Sequence, residues 1–533
     1  MEQWVVVSIV IALYLAVTLT IGLVSGRRAS KSVQGYVAGD RSFNLLVMYF
    51  VTGAMVFSAF AFLGGPGFAY GRGAAAFYIL AYGALGMAPF YWLGPRAAKV
   101  GRRHGYVTQA QLVTGRFPSK WLSVGLAVMS VAAFVPYITL QMRGAGIVIE
   151  VVTEGHVPLW LGAALSYGIV VLYVLKGGVA AVGWTNTFQG IIMLVIAWTF
   201  GLWLPFELYG GVGAMFERIA TERPDMLTLP GLATAWIGED GGTPWTWGAY
   251  SSSILVSVIG VTMWPHLFMK AFTAKDEKTL RRTVVLFPTF QLFLIPIFLI
   301  GFAGILVTGL SLDNPDYILP ELILNTGLPP IIVGLFCAGA LSASMSTGDA
   351  LLHAAASITV EDGINPLRGG KPTEGHLAGY ADRRADGPED EVGGSAGTRD
   401  RRPLTDDQQR RLMRWLVVIL GVVAYAFALD PESSLVILLL SAYGLIAQLA
   451  PPVWAALYWK RATTKGVLAG FVAGAATTLH FFYWSNQKPF GIHEGILGLL
   501  VHVPVLIIVS LLTQPQGREQ IARFFPEKSE GPA

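Results

Sequence analysis

Charged residues are scarce in this chain of 533 residues: Asp, Glu, Lys and Arg make up 13%, whereas a soluble domain carries about 25%. Hydrophobic residues take up 54% of the sequence, and the mean hydropathy is +0.57. Because these few polar side chains cannot cover a water-facing surface, most of the chain must be solvated by lipid. This excludes a soluble enzyme and a nucleic-acid-binding protein. The formal net charge of +4 does not favour nucleic acid either, because the basic residues lie between apolar runs.

Cysteine and nucleotide-binding sequences are also lacking. The single cysteine, Cys337, excludes an intramolecular disulfide, a secreted disulfide scaffold and a Cys-based metal site. No Gly-x-x-x-x-Gly-Lys-Ser/Thr sequence occurs, so ATP-driven pumping has no support. The His residues are scattered without metal-ligand or triad spacing, which argues against a membrane enzyme.

Long apolar runs dominate what is present. A membrane-spanning helix needs roughly 20 apolar residues, and thirteen runs reach or approach that length. They predict an all-α, multi-pass protein of the cell membrane, with the second, ninth and tenth runs interrupted or short. The runs are 4–25, 45–65, 74–96, 121–148, 158–175, 184–208, 249–270, 284–309, 329–356, 414–429, 433–458, 465–484 and 492–513.

The distribution of basic residues predicts the orientation. The first run follows an acidic start at Glu2 and precedes Arg27, Arg28 and Lys31, as expected of an uncleaved helix with its N-terminus outside. With thirteen spans, most other basic residues then fall in inside loops or at the inner ends of the runs, which predicts N-out and C-in. These inside residues are Arg41, Arg96, Lys99, Arg102, Arg103, Arg116, Lys120, Lys270, Lys275, Lys278, Arg281, Arg282, Lys460, Arg461 and Lys465. The outside loops carry Arg72, Arg218, Arg223 and Lys488.

One segment, 363–405, is rich in Gly, Asp, Arg, Glu and Pro and has almost no bulky apolar residues. We expect a disordered cytoplasmic loop that acts as a tether, with a regulatory role as the alternative. Thr405 and Gln408 have capping-box spacing, which predicts that a helix begins there.

Two spans carry groups suited to a cation. Gly53 and the Gly-Gly-Pro-Gly sequence at 64–67 favour an unwound second span with exposed carbonyls, although small residues also serve close helix packing. In the ninth span, Ser346 and Thr347 place two hydroxyls at bilayer depth, with back-bonding to the previous turn as the ordinary alternative. Asp349 follows one turn later, and an intramembrane carboxylate is functional by default, unless it pairs with a neighbouring helix.

Three further stretches make the chain recognisable. Residues 177–189 read Gly-Gly-Val-Ala-Ala-Val-Gly-Trp-Thr-Asn-Thr-Phe-Gln, and Trp-Pro-His at 264–266 precedes Phe-Thr-Ala-Lys at 272–275. A third stretch, 441–451, is Ser-Ala-Tyr-Gly-Leu-Ile-Ala-Gln-Leu-Ala-Pro, with Lys-Arg-Ala-Thr at 460–463. Together they resemble the sodium:solute symporter family of proline, pantothenate, monocarboxylate and sugar symporters, over the whole chain except the 363–405 insert.

The resemblance implies a LeuT-like core of two inverted five-helix repeats. The first repeat would be 45–208 (helices 2–6), and the second would be 249–458 (helices 7–11), which contains the loop 363–405. Residues 1–26 would form a helix outside the core, 465–513 helices 12 and 13, and 514–533 a cytoplasmic tail.

The resemblance also implies a Na⁺ site between the second and ninth spans. Its ligands would be the carbonyls of Ala54, Phe57 and Ala343 and the hydroxyls of Ser346 and Thr347.

The chain departs from the family pattern at two positions that have been linked with sodium. Val56 and Asn186 stand where relatives carry aspartate. H⁺ in place of Na⁺, carried by Asp349, is therefore the alternative for the coupling ion.

The predicted function is inward Na⁺-driven uptake of a small organic solute, with an organic acid such as a monocarboxylate as first choice. An amino acid or pantothenate is the alternative, and a solute sensor is a further one. Besides the solute, lipid is the one partner expected; no protein partner is evident. Substrate-binding candidates are Ser58, Phe60, Tyr137, Gln141 and Arg143, and the last is equally suited to snorkelling toward headgroups.

Overall fold

The computed structural model describes residues 1–27, 32–233, 244–307, 312, 314–368, 404–429, 435–485 and 488–525. Within these ranges the regular structure is helical, apart from two isolated β-bridges, Phe43–Ala274 and Leu232–Pro244. The all-α prediction is therefore confirmed.

The helices follow the predicted apolar runs closely. The N-terminal half contains α1 (Gln3–Gly26), α2 (Val33–Ala38), α3 (Leu45–Val56), α4 (Gly65–Arg72), α5 (Phe77–Gly86), α6 (Phe90–His104), α7 (Gln109–Arg116), α8 (Lys120–Val152), α9 (Leu159–Tyr209) and α10 (Val212–Glu222). The C-terminal half contains α11 (Trp247–Val261), α12 (Pro265–Phe268), α13 (Lys270–Thr273), α14 (Glu277–Gln291), α15 (Leu294–Gly304), α16 (Ile318–Leu324), α17 (Pro330–Ile358), α18 (Asn365–Leu367), α19 (Asp406–Ala428), α20 (Leu435–Ala447), α21 (Ala450–Tyr458), α22 (Thr464–Tyr483), α23 (Glu494–Leu512) and α24 (Arg518–Phe524).

By length and composition, eight helical segments of the described residues are able to span a membrane, or ten if two bent pairs are counted. The first bent pair is Leu45–Val56 with Phe60–Gly86, which meet at 56°, and the second is Trp247–Val261 with Pro265–Thr273, which meet at 42°. The structure thus confirms a multi-pass helical protein, whereas the count of thirteen spans stays a prediction.

Helix α9 is too long for one crossing. Its 51 residues would extend about 76 Å as a straight helix, against a hydrocarbon core of about 30 Å. Gly178 interrupts it with φ 52° and ψ −144°, a conformation in which a side chain would meet Tyr36. The two arms on either side of Gly178 match the fifth and sixth predicted runs.

The ninth span is continuous, contrary to the prediction of an interrupted or short helix. Helix α17 runs unbroken over 29 residues. Its glycines serve close packing instead of a break: a Cβ on Gly339 would lie 2.7 Å from Ile196, and one on Gly348 would lie 2.2 Å from the Tyr167 hydroxyl. Both neighbours belong to α9, so the small residues bring these two helices together.

The tenth span is longer than its apolar run. Helix α19 begins at Asp406, where Thr405 and Gln408 form the predicted capping box. Its first turns are polar, which is why the apolar run seemed short. Most of the predicted loop lies outside the described residues, but its first part is helical: 359–364 form a π-helical turn, and α18 follows.

Candidate functional site

The second span is broken where the sequence predicts it. Helix α3 ends at Val56, and Phe57 has the non-helical angles φ −94° and ψ 84°. A π-helical segment, Phe60–Gly64, then resumes the span. The Ala59 N–H, which a continuous helix would give to Met55, donates instead to Gln141 Oε1 at 2.8 Å. The break therefore leaves the carbonyls near the end of α3 without intrahelical partners.

The hydroxyls of α17 meet those carbonyls. Ser346 Oγ donates to the Ala54 carbonyl at 2.9 Å and lies 3.3 Å from the Ala343 carbonyl of its own helix. Thr347 Oγ1 lies 3.4 Å from the Ala54 carbonyl and 3.3 Å from that of Met55. Because the Ser346 contact across the two helices is the shorter one, back-bonding along α17 does not account for this hydroxyl.

We call the oxygens of Ala54, Met55, Ala343, Ser346 and Thr347 the oxygen cluster. These residues are fully buried, and four of them are predicted Na⁺ ligands. Met55 was not predicted, although its place one residue after Ala54 in the broken turn is a usable signal.

Phe57, the fifth predicted ligand, lies at the break itself. Its ring packs on Phe287, Phe290 and Phe293. No hydrogen bond within the described part of the chain joins its carbonyl to the Ser346 or Thr347 hydroxyl.

Asn186 supports the oxygen cluster from α9. Its Nδ2 donates to the Ser346 carbonyl at 2.8 Å, whereas its buried Oδ1 has no partner among the described residues. The side chain thus fixes the backbone of α17 at the residue whose hydroxyl faces Ala54.

Asp349 faces α9 and not α3. Its Oδ2 accepts hydrogen bonds from the Tyr173 hydroxyl at 2.7 Å and the Thr185 hydroxyl at 3.2 Å, while Oδ1 is buried without a partner among the described residues. The carboxylate also interacts electrostatically with Lys270, which the sequence places at the inner end of the seventh run and which is buried in α13. These contacts are those expected if Asp349 pairs with a neighbouring helix.

Four of the five predicted solute-binding residues lie together beside the break. The Tyr137 side chain is hydrogen-bonded to Ser58, and Gln141 holds the Ala59 amide while its own Nε2 is buried without a partner in the described residues. Phe60 follows in the π-helical segment, buried, and its amide donates to Ser58 Oγ at 3.2 Å.

Arg143 belongs to a different part of α8. It is two residues past Gln141, and two steps of 100° place it on roughly the opposite side of the helix. There it lines a cavity of 330 Å³ with Thr139, Phe427 and Thr478, separate from the group at Ser58. Snorkelling does not describe it, because the residue is only 3% exposed.

Asp316, just before α16, is a charged neighbour of Arg143. Burial raises the pKa of the Asp316 carboxyl, whereas the Leu435 N–H, Arg143 and Arg72 oppose the rise. Arg143 thus contributes to an electrostatic interaction between α8 and the segment that precedes α16.

A second break brings in residues that were not predicted to bind solute. After α11 ends at Val261, Trp264 has φ −53° and ψ 118°, and its ring lies 4.8 Å from that of Tyr137 and 5.6 Å from that of Tyr443. His266 packs 6.0 Å from Tyr137, and neither of its ring nitrogens has a partner in the described residues. The Trp-Pro-His sequence was the available signal.

Comparisons with known proteins agree with this geometry. The profile of the sodium:solute symporter family matches residues 36–372 and 398–474. The uncharacterized symporter YhjB of Bacillus subtilis strain 168 is 27% identical over 519 residues, which cover 94% of this chain and 96% of that protein. A sodium/proline symporter of Staphylococcus aureus strain bovine RF122 / ET3-1 is 26% identical over 526 residues, covering 96% of this chain and 93% of the symporter.

Solved structures share the fold. A Na⁺-coupled sialic acid symporter in a substrate-bound, outward-open state superposes with a TM-score of 0.73 at 17% identity, over 96% of this chain and 98% of that one. Mhp1, a nucleobase-cation-symport-1 family transporter, gives a TM-score of 0.54 at 14% identity, over 92% of this chain and 98% of its own. The family match over most of the sequence carries the assignment: this chain belongs to the sodium:solute symporter family and is a multi-pass membrane transport protein.

Proposed function

We propose that the protein couples inward Na⁺ flow to the uptake of a small organic acid by alternating access. The observation that carries the proposal is the oxygen cluster, in which hydroxyls of an unbroken helix meet carbonyls of a broken one. A hard cation takes several oxygen ligands, and unwound backbone at mid-membrane is suited to supply them. Asn186 holds the Ser346 backbone from α9, and Met55 adds a further carbonyl from α3.

Ion and solute would be coupled through the break in the second span. The Ala54 carbonyl lies on one side of Phe57 and Ser58 on the other, so the same short backbone segment borders both sites. Na⁺ bound at the oxygen cluster would hold α3 against α17 and stabilise the backbone that presents Ser58 and the Ala59 amide. Such a gain in solute affinity is a coupling free energy, and the solute raises Na⁺ affinity by the same factor.

The solute candidates favour a compact molecule with an acceptor group. The unpartnered Gln141 Nε2 is a donor, and the Tyr137 hydroxyl lies beside it one helical turn away. A carboxylate offers the matching acceptors. An amino acid is the second candidate, and the similarity to a sodium/proline symporter favours it.

Proton coupling through Asp349 is the alternative for the ion. The carboxylate accepts from two hydroxyls of α9 and interacts with Lys270, so it has donors around it and faces away from α3. Na⁺ is our choice because the hydroxyls of Ser346 and Thr347 are both in place beside the carbonyls of α3.

Thirteen spans, N-out and C-in, with inverted repeats over 45–208 and 249–458, remain part of the proposal. The breaks after Val56 and Val261 support the repeats, because each falls in what would be the first helix of its repeat.

Uptake by proteoliposomes under an imposed Na⁺ gradient tests the function, with a panel of monocarboxylates, amino acids and pantothenate. We expect one solute class to accumulate in a Na⁺-dependent manner, and Ser346→Ala to raise about 100-fold the Na⁺ concentration that half-saturates this uptake. Ser357→Ala is the matched control, because Ser357 lies on the same helix and donates only to its own backbone at His353. Absence of any Na⁺-dependent flux across the panel would contradict the proposal. Uptake that follows a pH gradient alone would show that the coupling ion is H⁺.

A further inference from the structure

A basic cavity lies apart from the oxygen cluster and shares no residue with it. It has a volume of 770 Å³ and is lined by side chains of α6, α14, α21 and α24. Five basic residues line it, and Glu277 is the one carboxylate among the lining residues. The basic residues are Arg96, Lys99, Arg103, Arg281 and Arg523.

The spacing of the α6 residues explains why their charges converge. Arg96, Lys99 and Arg103 are three and seven positions apart, so they project from one face of the helix. Arg281 of α14 and Arg523 of α24 face them across the cavity. In the described part of the chain, ion pairing within 4 Å reaches only Arg523, whose partner Glu519 is exposed. The cavity therefore holds an excess of positive charge.

One wall of the cavity is aromatic. Trp92 and Tyr458 are 61% and 39% exposed, and the Tyr458 hydroxyl donates to the Trp92 carbonyl at 3.0 Å. The Arg96 guanidinium stands 4.6 Å from the centre of the Tyr458 ring. Exposed Trp and Tyr beside basic side chains are typical of the boundary between hydrocarbon and headgroups.

We propose that this cavity binds the headgroup of an anionic phospholipid. The basic residues would hold the phosphate, and the acyl chains would lie on the exposed faces of Trp92 and Tyr458. The predicted orientation places the cavity on the cytoplasmic side, where anionic lipids attract basic segments. A bare soluble anion would use the charges but would leave the aromatic wall without a role.

The proposed lipid would join elements that are distant in sequence. Helix α24 lies in the C-terminal tail, and it packs on the rest of the protein through Phe524, whose ring stacks on His104 at 6.1 Å. With Arg523 and Arg96 on the same phosphate, the tail helix would be attached to α6 by the lipid as well as by this stack.

Lipid retention by the full-length protein in detergent tests the proposal, with mass spectrometry of the intact complex as the readout. The probes are phosphatidylglycerol and phosphatidylcholine, supplied separately. The test variant is the triple Arg96→Gln, Lys99→Gln, Arg103→Gln. The charge-matched control is Lys120→Gln, Arg411→Gln, Lys465→Gln, whose three exposed residues lie outside the cavity. The double variant Arg281→Gln, Arg523→Gln repeats the test from the facing wall in case the triple variant folds poorly.

We expect phosphatidylglycerol to be retained in preference to phosphatidylcholine. Because each basic residue near an anionic surface contributes about a factor of five, the triple variant should bind on the order of 100-fold more weakly. The control should bind as the unmodified protein does. Equal retention of the two lipids, equal losses in the control and test variants, or displacement of phosphatidylglycerol by inorganic phosphate would each overturn the proposal. The last result would assign the cavity to a soluble anion.

Discussion

The second and ninth spans both contribute oxygen atoms to the oxygen cluster, but they expose them in different ways. The second span is broken, which leaves the carbonyls of Ala54 and Met55 without helical partners. The ninth, Pro330–Ile358, is continuous and supplies the hydroxyls of Ser346 and Thr347. A carbonyl stays in place whatever the side chain, whereas a hydroxyl is removed by one substitution. The broken span must therefore be tested through its packing, and the continuous span through its side chains.

The largest effect should come from the hydroxyls of the continuous span. A hydrogen bond or ligand contact to a charged group is worth about 1.5–3 kcal/mol, which is roughly 10- to 150-fold in affinity. Ser346 makes the shorter contact with Ala54, at 2.9 Å against 3.4 Å for Thr347. We expect Ser346→Ala to weaken Na⁺ binding about 100-fold and Thr347→Ala about 10-fold, measured as the Na⁺ concentration that half-saturates uptake. The reverse order would contradict the assignment of Ser346 as the principal hydroxyl.

The next effect tests the packing of the broken span. A Cβ on Gly53 would lie 2.4 Å from the ring of Phe290, so Gly53→Ala must displace α3 or α14. Overpacking of this kind costs about 1–3 kcal/mol, and we expect a lower melting temperature in detergent together with weaker Na⁺ binding.

The matched control for this substitution is Gly168→Ala. Gly168 has nothing within 4 Å of its Cβ position, so the melting temperature should stay the same or rise slightly. A Gly53→Ala variant as stable as this control would show that the second span tolerates movement at its break.

A smaller effect is expected on the other face of the continuous span. In Asp349→Asn the amide oxygen still accepts from Tyr173 and Thr185, so we expect a loss of no more than about 1 kcal/mol in the free energy of unfolding. The half-saturating Na⁺ concentration should change less than about threefold, because a shift that size is under 1 kcal/mol. Uptake that loses its Na⁺ dependence while the protein stays folded would instead identify Asp349 as the ion or proton carrier.

The smallest effect is expected outside both spans. Residues 373–397 lie between the two parts of the chain that the family profile matches. If this segment is a tether, its deletion should leave the rate of uptake unchanged in proteoliposomes. A loss of uptake would contradict the tether, and a loss of a solute-dependent response with uptake intact would support the sensor alternative.

The span limits were predictable because bilayer thickness determines how long an apolar run must be. Helices α1 and α22 lie within one residue of their predicted ends. The continuity of α17 was not predictable, since Gly348 suits a break and close packing equally, and only the position of Tyr167 decides between them. The break after Val56 was predicted correctly because small residues and Pro-Gly occur together there.

At the candidate site, the prediction from sequence failed where it depended on the direction of a side chain. Gln141 and Arg143 are neighbours in sequence, yet they serve opposite faces of α8, and a count of residues around the helix would have separated them. Lys270 was placed at the inner end of the seventh run because charge normally marks the end of a span, whereas tertiary packing buries it, and it interacts electrostatically with Asp349. The Ser346 and Ala54 contact was anticipated because the family resemblance related two distant segments that local pattern alone could not join.

The two hydrogen bonds on Asp349 have a mechanical consequence. Tyr173 precedes the kink at Gly178 and Thr185 follows it, and both hydroxyls donate to the same carboxylate oxygen. Spreading the two arms of α9 would break these buried hydrogen bonds, so Asp349 fastens both arms to α17. Bending that exposes the solute to the opposite side of the membrane would then fall at the breaks after Val56 and Val261, where Phe57 and Trp264 already have non-helical angles.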